Sequence, residues 1–298
     1  MTTLETIRDC LKFRTAGPSE TVRPEPGTPI PIAIDRPHIW SARYSDLDRH
    51  FSVLSGLISE QEVTRAAGFK KSRDARNFIL RQGMVRAVLG QYIRKEAQAV
   101  RFVREESGKP YLDPEENIHE IHFSPSHTDE MVCLGVSRKT SIGLDIVRGN
   151  SRYPFSATAE YLFTPGERQW ITRAPSHEQQ VRFFRIWSLK EALLKAMGSG
   201  VGMMQETEVS GIMENRFLNG FYPVPVRKKE RAFFIHESGC ITGHHCTLVA
   251  LPASDTGNGT ETAGPARQNG SSCHRTKKTG DYTIAPIVCC PSTTRRNL

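Results

Sequence analysis

No run of about twenty consecutive apolar residues occurs in this 298-residue chain, so nothing in it reads as a membrane-spanning helix. A basic start followed by an apolar segment, the pattern of a secretory signal, is missing too. Cysteine is sparse: the seven residues follow no periodic spacing, and an odd count excludes a fully paired disulfide scaffold. Cys240, His244, His245 and Cys246 lie close together, but their spacing matches no familiar zinc site, and Cys289 and Cys290 are expected to be reduced. These absences lead to the expectation of a cytoplasmic protein. Apolar residues are also slightly lean, at 38%, and the shortfall sits at the two ends of the chain.

Residues 1–37 hold Pro18, Pro24, Pro26, Pro29, Pro31 and Pro37 without clear periodicity, which predicts a loose extension. Residues 253–298, rich in Gly, Ser, Thr and Asn, read as a disordered tail. The tail carries six of the basic residues against three acids, so about +5 of the net +8 belongs to the rest of the chain. That modest positive balance suits an anionic ligand or an acidic partner. It also suits nucleic acid, although no recognisable nucleic-acid module is present.

What the chain does contain is a helical run with charges where a plain amphipathic helix would not put them. Phe183, Ile186, Trp187, Leu193, Leu194 and Met197 form one apolar stripe at helical spacing. Lys190 falls inside that stripe. Glu191 and Lys195 lie one turn apart at its edge, where a carboxylate and an ammonium can project together toward an ion or a phosphate. The bland alternative is a surface ion pair beside a core stripe.

Ile142 to Val147 reads as a buried strand bearing a single acid, Asp145. A buried carboxylate costs several kcal/mol unless it is paired or metal-bound, so Asp145 needs a partner, either Arg148 or a cation shared with Glu191. A hard cation such as Mg2+ is commonly held by one or two carboxylates and completed by phosphates and water. Ile121–His127 and Met131–Val136 predict two strands around a short polar turn that displays Ser126 and His127, groups suited to phosphate contacts or to plain solvation. Upstream, Ser107 to Pro110 sets Lys109 in a tight turn. A basic helix predicted from Arg73 to Leu89 carries Arg76 and Arg81. Ser59 with Glu62, and Thr164 with Glu167 behind Pro165, have the form of capping boxes. Each is followed by a longer helical pattern predicted to stop at a glycine, Gly90 or Gly198.

Taken in order, Ile39-Trp40, Phe69 with the basic run to Arg81, Gly108-Lys109-Pro110, Phe123 to His127, Gly143 to Ile146, Phe163 with Glu167, and Trp187-x-x-Lys-Glu-x-x-x-Lys195 resemble the 4′-phosphopantetheinyl transferase family, in its Sfp-like branch. The resemblance spans about residues 38–252. It implies an α+β fold made of two similar subdomains, 38–138 and 139–252, related by a pseudo-two-fold with the site in the cleft between them, and a monomer. It implies transfer of the phosphopantetheine arm of coenzyme A to a serine of an apo carrier protein, a small acidic helical domain, with release of adenosine 3′,5′-bisphosphate. Asp145 and Glu191 then match positions that hold Mg2+, or Mn2+, and Glu191 matches the base for the carrier serine. Arg76, Arg81, Lys109, Ser126, His127, Lys190 and Lys195 match positions lining coenzyme A, with Lys195 also offsetting charge as the diphosphate bond breaks. The family often has a second acid two residues after Asp145; here that place is Val147, which cannot coordinate a cation. The competing readings are a non-catalytic coenzyme A binder and a nucleic-acid phosphate binder.

Overall fold

Two 22-residue helices, each laid on its own antiparallel sheet, organise the chain. The computed structural model describes residues 3–16, 30, 32, 36–104, 108–149, 153–238 and 243–252. All of these fall within one unit, 1–257. The 253–298 tail, Cys240 and Ser107 lie outside the described residues.

A short helix α1 (Thr3–Ile7) leads into β1 (Lys12–Thr15) and β2 (His38–Arg43). Helices α2 (Tyr44–Leu47), α3 (Phe51–Ser55) and α4 (Glu60–Ala67) precede the long α5 (Ser72–Ile93). A two-stranded ribbon of β3 (Phe102–Arg104) and β4 (Pro110–Leu112) comes next. It is followed by β5 (Ile121–His127), β6 (Met131–Arg138) and β7 (Ile142–Arg148). Helices α6 (Phe155–Leu162), α7 (Pro165–Thr172) and α8 (Ser176–Met197) then lead to β8 (Asn219–Val226), β9 (Lys229–Glu237) and β10 (His244–Ala250). One sheet has the order β1-β2-β6-β5 and the other β7-β10-β9-β8, so β5 and β7 are edge strands. The α+β class expected from the sequence is the class observed.

Each sheet buries one face under its long helix. Met84, Val88 and Leu89 of α5 pack with Trp40, Phe123 and Leu134. Phe183, Ile186 and Leu193 of α8 pack with Phe233, Ile235 and Val249. Full burial of each such side chain contributes about 1.5–3 kcal/mol, which fixes both helices on their sheets. A smaller apolar cluster joins Ile39 and Cys133 of the first sheet to Leu144, Ile146, Cys246 and Leu248 of the second. Both capping boxes are present, at Ser59/Glu62 and Thr164/Glu167.

Three sequence expectations change. Residues 3–16 are not a loose extension: Ile7 and Leu11 enter the first core, and β1 pairs with β2 along Lys12–Thr15. Leu4, Ile7 and Leu11 already carry a helical spacing that the prolines further on obscured. Ser126 and His127 stand within β5 rather than in a turn, opposite Cys133 and Val132. Gly90 does not stop α5, which runs to Ile93 and is capped by Arg94 in the left-handed region at φ 56°. A Cβ at Gly90 would come within 2.6 Å of the Lys95 carbonyl oxygen, so close backbone approach is what requires glycine there. Gly198, by contrast, ends α8 as expected, at φ 65°.

Candidate active site

The bare edge of β7 lies against the bare edge of β5, and side chains do the joining that a backbone ladder would otherwise do. Ser124 Oγ accepts the Leu144 N–H at 2.9 Å, and Ser126 Oγ accepts the Ile146 N–H at 3.2 Å. Lys109 Nζ donates to the Ile142 carbonyl at 3.0 Å, and Lys195 Nζ to the Leu144 carbonyl at 3.2 Å. Backbone groups on an edge strand need partners, and these four side chains supply them. Pro125, which has no N–H to offer, sits between the two serines on the facing edge.

Helix α8 comes down onto β7 closely because residue 143 is glycine. A Cβ there would lie 1.9 Å from the Ala192 carbonyl oxygen and 2.5 Å from the Ala196 nitrogen. That contact brings the Glu191–Lys195 turn over Asp145. Lys195 Nζ reaches Asp145 Oδ1 at 2.7 Å, and Ser126 Oγ donates to the same oxygen at 3.0 Å. The partner of Asp145 is thus Lys195 and not Arg148, which pairs with Glu130. Ser188 Oγ, one helical turn before Glu191 and Ala192, donates to the Asp145 carbonyl at 3.3 Å and holds the strand from its other side.

Glu191 is half-buried, and its carboxyl is held above the usual range, by burial first; Lys195 opposes that shift and the nearby Asp145 charge adds to it. Two carboxylates that share a space attract a cation. As a donor set Asp145 and Glu191 fit a hard, oxygen-loving ion such as Mg2+, which keeps water and ligand phosphates in its remaining positions. Among the described residues no cluster of three or more His, Cys, Asp or Glu offers a complete protein cage. Val147 adds no donor.

Beside this group a crevice of about 600 Å³ opens between His127, Thr128 and Asp129 on one wall and Val147, Arg148 and Gly149 on the other. His127 stands at the exposed end of β5. Partial burial, with the positive charges of Arg81 and Lys195, holds its imidazole down at about 4, so it is neutral near pH 7. Arg81 interacts with the Tyr44 hydroxyl, and its charge also reaches His127.

Six of the residues expected at the site therefore meet in one region: Ser126, His127, Asp145, Glu191, Lys195 and, through the Lys195 carbonyl at 2.7 Å, Lys109. Arg81 joins them electrostatically. Two others are turned elsewhere. Arg76 pairs with Asp48 and lies 3.8 Å over the Phe51 ring. Lys190 is a correction: fully buried, it points away from Asp145, with Nζ 2.7 and 2.6 Å from the two Glu167 oxygens and 2.7 Å from the Thr207 carbonyl. Its place inside the apolar stripe is the physical reason, because that stripe faces the core. Ser124 was not singled out in the sequence; the signal available was the Ser-x-Ser spacing, which puts two hydroxyls on one side of a strand.

Comparison with known proteins gives the family. The family model described as the 4′-phosphopantetheinyl transferase superfamily matches residues 141–248, and a model for the N-terminal part of a 4′-phosphopantetheinyl transferase matches residues 40–139. The 4′-phosphopantetheinyl transferase HetI of Nostoc sp. is 28% identical over 181 residues, 61% of this chain and 76% of that protein. The 4′-phosphopantetheinyl transferase gsp of Aneurinibacillus migulanus is 28% identical over 213 residues, 71% and 84% of the two chains. The human L-aminoadipate-semialdehyde dehydrogenase-phosphopantetheinyl transferase is 27% identical over 213 residues, 66% and 68%. The two matched spans meet at the turn between β6 and β7, and with the edge-to-edge site beside that turn they identify the chain as an enzyme of the 4′-phosphopantetheinyl transferase superfamily.

Proposed function

We propose that this enzyme moves the 4′-phosphopantetheine arm of coenzyme A onto a serine hydroxyl of an apo carrier protein and releases adenosine 3′,5′-bisphosphate. The observation that carries this reading is the meeting of Ser126, Asp145, Glu191 and Lys195 at the β5–β7 edge, beside a crevice of ligand size. Residues 38–138 and 139–252 act as paired subdomains with coenzyme A between them, a division supported by the separate family matches to 40–139 and 141–248. The partner is a small acidic helical domain, and the enzyme works as a cytoplasmic monomer.

The carrier serine oxygen forms a bond to the phosphorus of the pantetheine phosphate, and the bond from that phosphorus to the bridging diphosphate oxygen breaks. Glu191, a carboxylate made more basic by burial, takes the hydroxyl proton, directly or through one water. Lys195, held beside Asp145, offsets charge gathering on the departing 5′-phosphate of adenosine 3′,5′-bisphosphate. Ser126, His127 and Arg81 orient the anionic end of coenzyme A, and Lys109, held at the Ile142 and Lys195 carbonyls, adds its positive charge on the same side. Asp145 and Glu191 would hold Mg2+, or Mn2+, which when bound would polarise the diphosphate.

Intact-mass spectrometry of an apo carrier incubated with this chain, coenzyme A and Mg2+ tests the reading. The expected result is a gain of one phosphopantetheine arm that disappears with chelator and with Glu191→Ala. Absence of any gain across several carrier classes, with coenzyme A still bound, identifies a non-catalytic binder and overturns it.

A further inference from the structure

Four consecutive outward-facing backbone groups of β7 are closed by side chains: the Ile142 carbonyl, the Leu144 N–H, the Leu144 carbonyl and the Ile146 N–H. Three of the four closing side chains, Lys109, Lys195 and Ser126, belong to the proposed phosphate-binding set. A phosphate drawing on those donors competes with the backbone of the strand that carries Asp145. Ser124 is different. It is 2% exposed, too buried to meet a ligand, and its hydroxyl serves the Leu144 amide alone among the hydrogen bonds described.

We propose that Ser124 is a positioning residue for Asp145. Its bond to Leu144 N–H holds the residue next to Asp145 at a fixed height on the β5 edge, so the carboxylate keeps its place opposite Glu191 when substrate engages Lys109, Lys195 and Ser126. Ser124 and Ser126 act two residues apart on β5, on amides two residues apart on β7, and Asp145 lies between the two clamped positions. Losing one clamp lets the strand pivot about the other. The inference rests on the reading of Asp145 and Glu191 as the cation-holding pair.

Mn2+ binding, followed by the electron paramagnetic resonance signal of the free ion in the presence of coenzyme A, supplies a readout independent of turnover. Ser124→Ala is expected to weaken Mn2+ binding about tenfold, the lower end of the effect of removing a group that orients a metal ligand. Ser137→Ala serves as the stability control, since Ser137 is also buried and, among the hydrogen bonds described, its hydroxyl donates to the Thr140 carbonyl alone, at 2.5 Å. It should lower the melting temperature and leave Mn2+ affinity unchanged. Ser124→Thr, which keeps the hydroxyl, should restore binding. If Ser124→Ala does not fold, Ser124→Cys, nearly isosteric with a weaker acceptor, takes the same measurement and should show a smaller loss. Wild-type Mn2+ affinity in these Ser124 variants, with Asp145→Asn abolishing binding, overturns the inference alone. Unchanged binding in Asp145→Asn overturns the reading beneath it as well.

Discussion

Replacing Lys190 with methionine separates a core role from a ligand role for a lysine that lies next to the proposed base. The side chain has no exposure, and its three hydrogen-bond acceptors are the two Glu167 oxygens and the Thr207 carbonyl. Glu167 in turn accepts the Thr164 N–H at 2.9 Å and the Val209 N–H at 3.0 Å. Burial pushes the Glu167 carboxyl up and the Lys190 ammonium down, and their mutual attraction with these donors holds both shifts back. Methionine fills a similar volume but leaves Glu167 without its cation, a loss of about 3–5 kcal/mol. For a domain of this size that lowers the melting temperature by roughly 6–20 °C. Replacing both partners, as Glu167→Leu with Lys190→Met, should recover most of the loss, because an apolar pair of similar volume has no charge to desolvate. Below its melting temperature Lys190→Met should keep the KM for coenzyme A within about twofold of the unmodified enzyme, since no phosphate contact is removed. A phosphate contact through Lys190 would instead raise that KM about 10- to 150-fold, the loss of one charge-assisted hydrogen bond. Calorimetry with steady-state kinetics decides: an unchanged melting temperature with a raised KM refutes the argument.

Gly143→Ala should force α8 off β7, because the added Cβ meets backbone atoms of Ala192 and Ala196, and a shift near 1 Å costs about 10²-fold in turnover; a crystal structure with α8 unmoved and full activity would contradict this. Glu191→Gln should lower kcat by about 10²–10⁴ while leaving the melting temperature within a few degrees, and parallel calorimetry and mass-spectrometric rates check the split. His38, buried with Nδ1 2.7 Å from the Tyr92 hydroxyl, is pushed down to about 4 by burial. The unfolded chain therefore takes up a proton near pH 6.5 that the folded chain refuses until about 4. Stability should fall as pH drops through that window, by about 3 kcal/mol from this residue, and level off below it. Urea unfolding between pH 7 and 4 should show a shallower decline in His38→Gln; identical slopes would contradict the assignment.

Elements whose reasons are local were legible in the sequence. The two capping boxes, the buried strand around Asp145, the Gly198 stop and the apolar stripe of α8 all follow from spacing within a few residues. The meeting of Ser126 and Asp145 with the Glu191–Lys195 turn came instead from the ordered family motifs, since the separation of these three segments in the chain exceeds any local rule. What stayed hidden depends on pairing across distance. Phe13 packs against Trp40 with ring centroids 4.6 Å apart and the rings tilted at 55°, which anchors a segment that reads as loose when taken alone. Gly90 resembles a terminator, but the approach of Lys95 is what demands it. Lys190 resembles a phosphate ligand by motif, and only the facing Glu167, 23 positions away, reveals it as part of the core.

The joint between β5 and β7 also bears on solubility. A strand edge with unfilled donors and acceptors is a template for another chain, and two such edges face each other here under the cover of two serines and two lysines. Lys195 thus covers a strand edge as well as standing in the proposed catalytic group. Substitutions at Lys195 or Lys109 that uncover the β7 carbonyls should yield protein that aggregates more readily, so low recovery of such variants reports an opened edge as much as a lost positive charge.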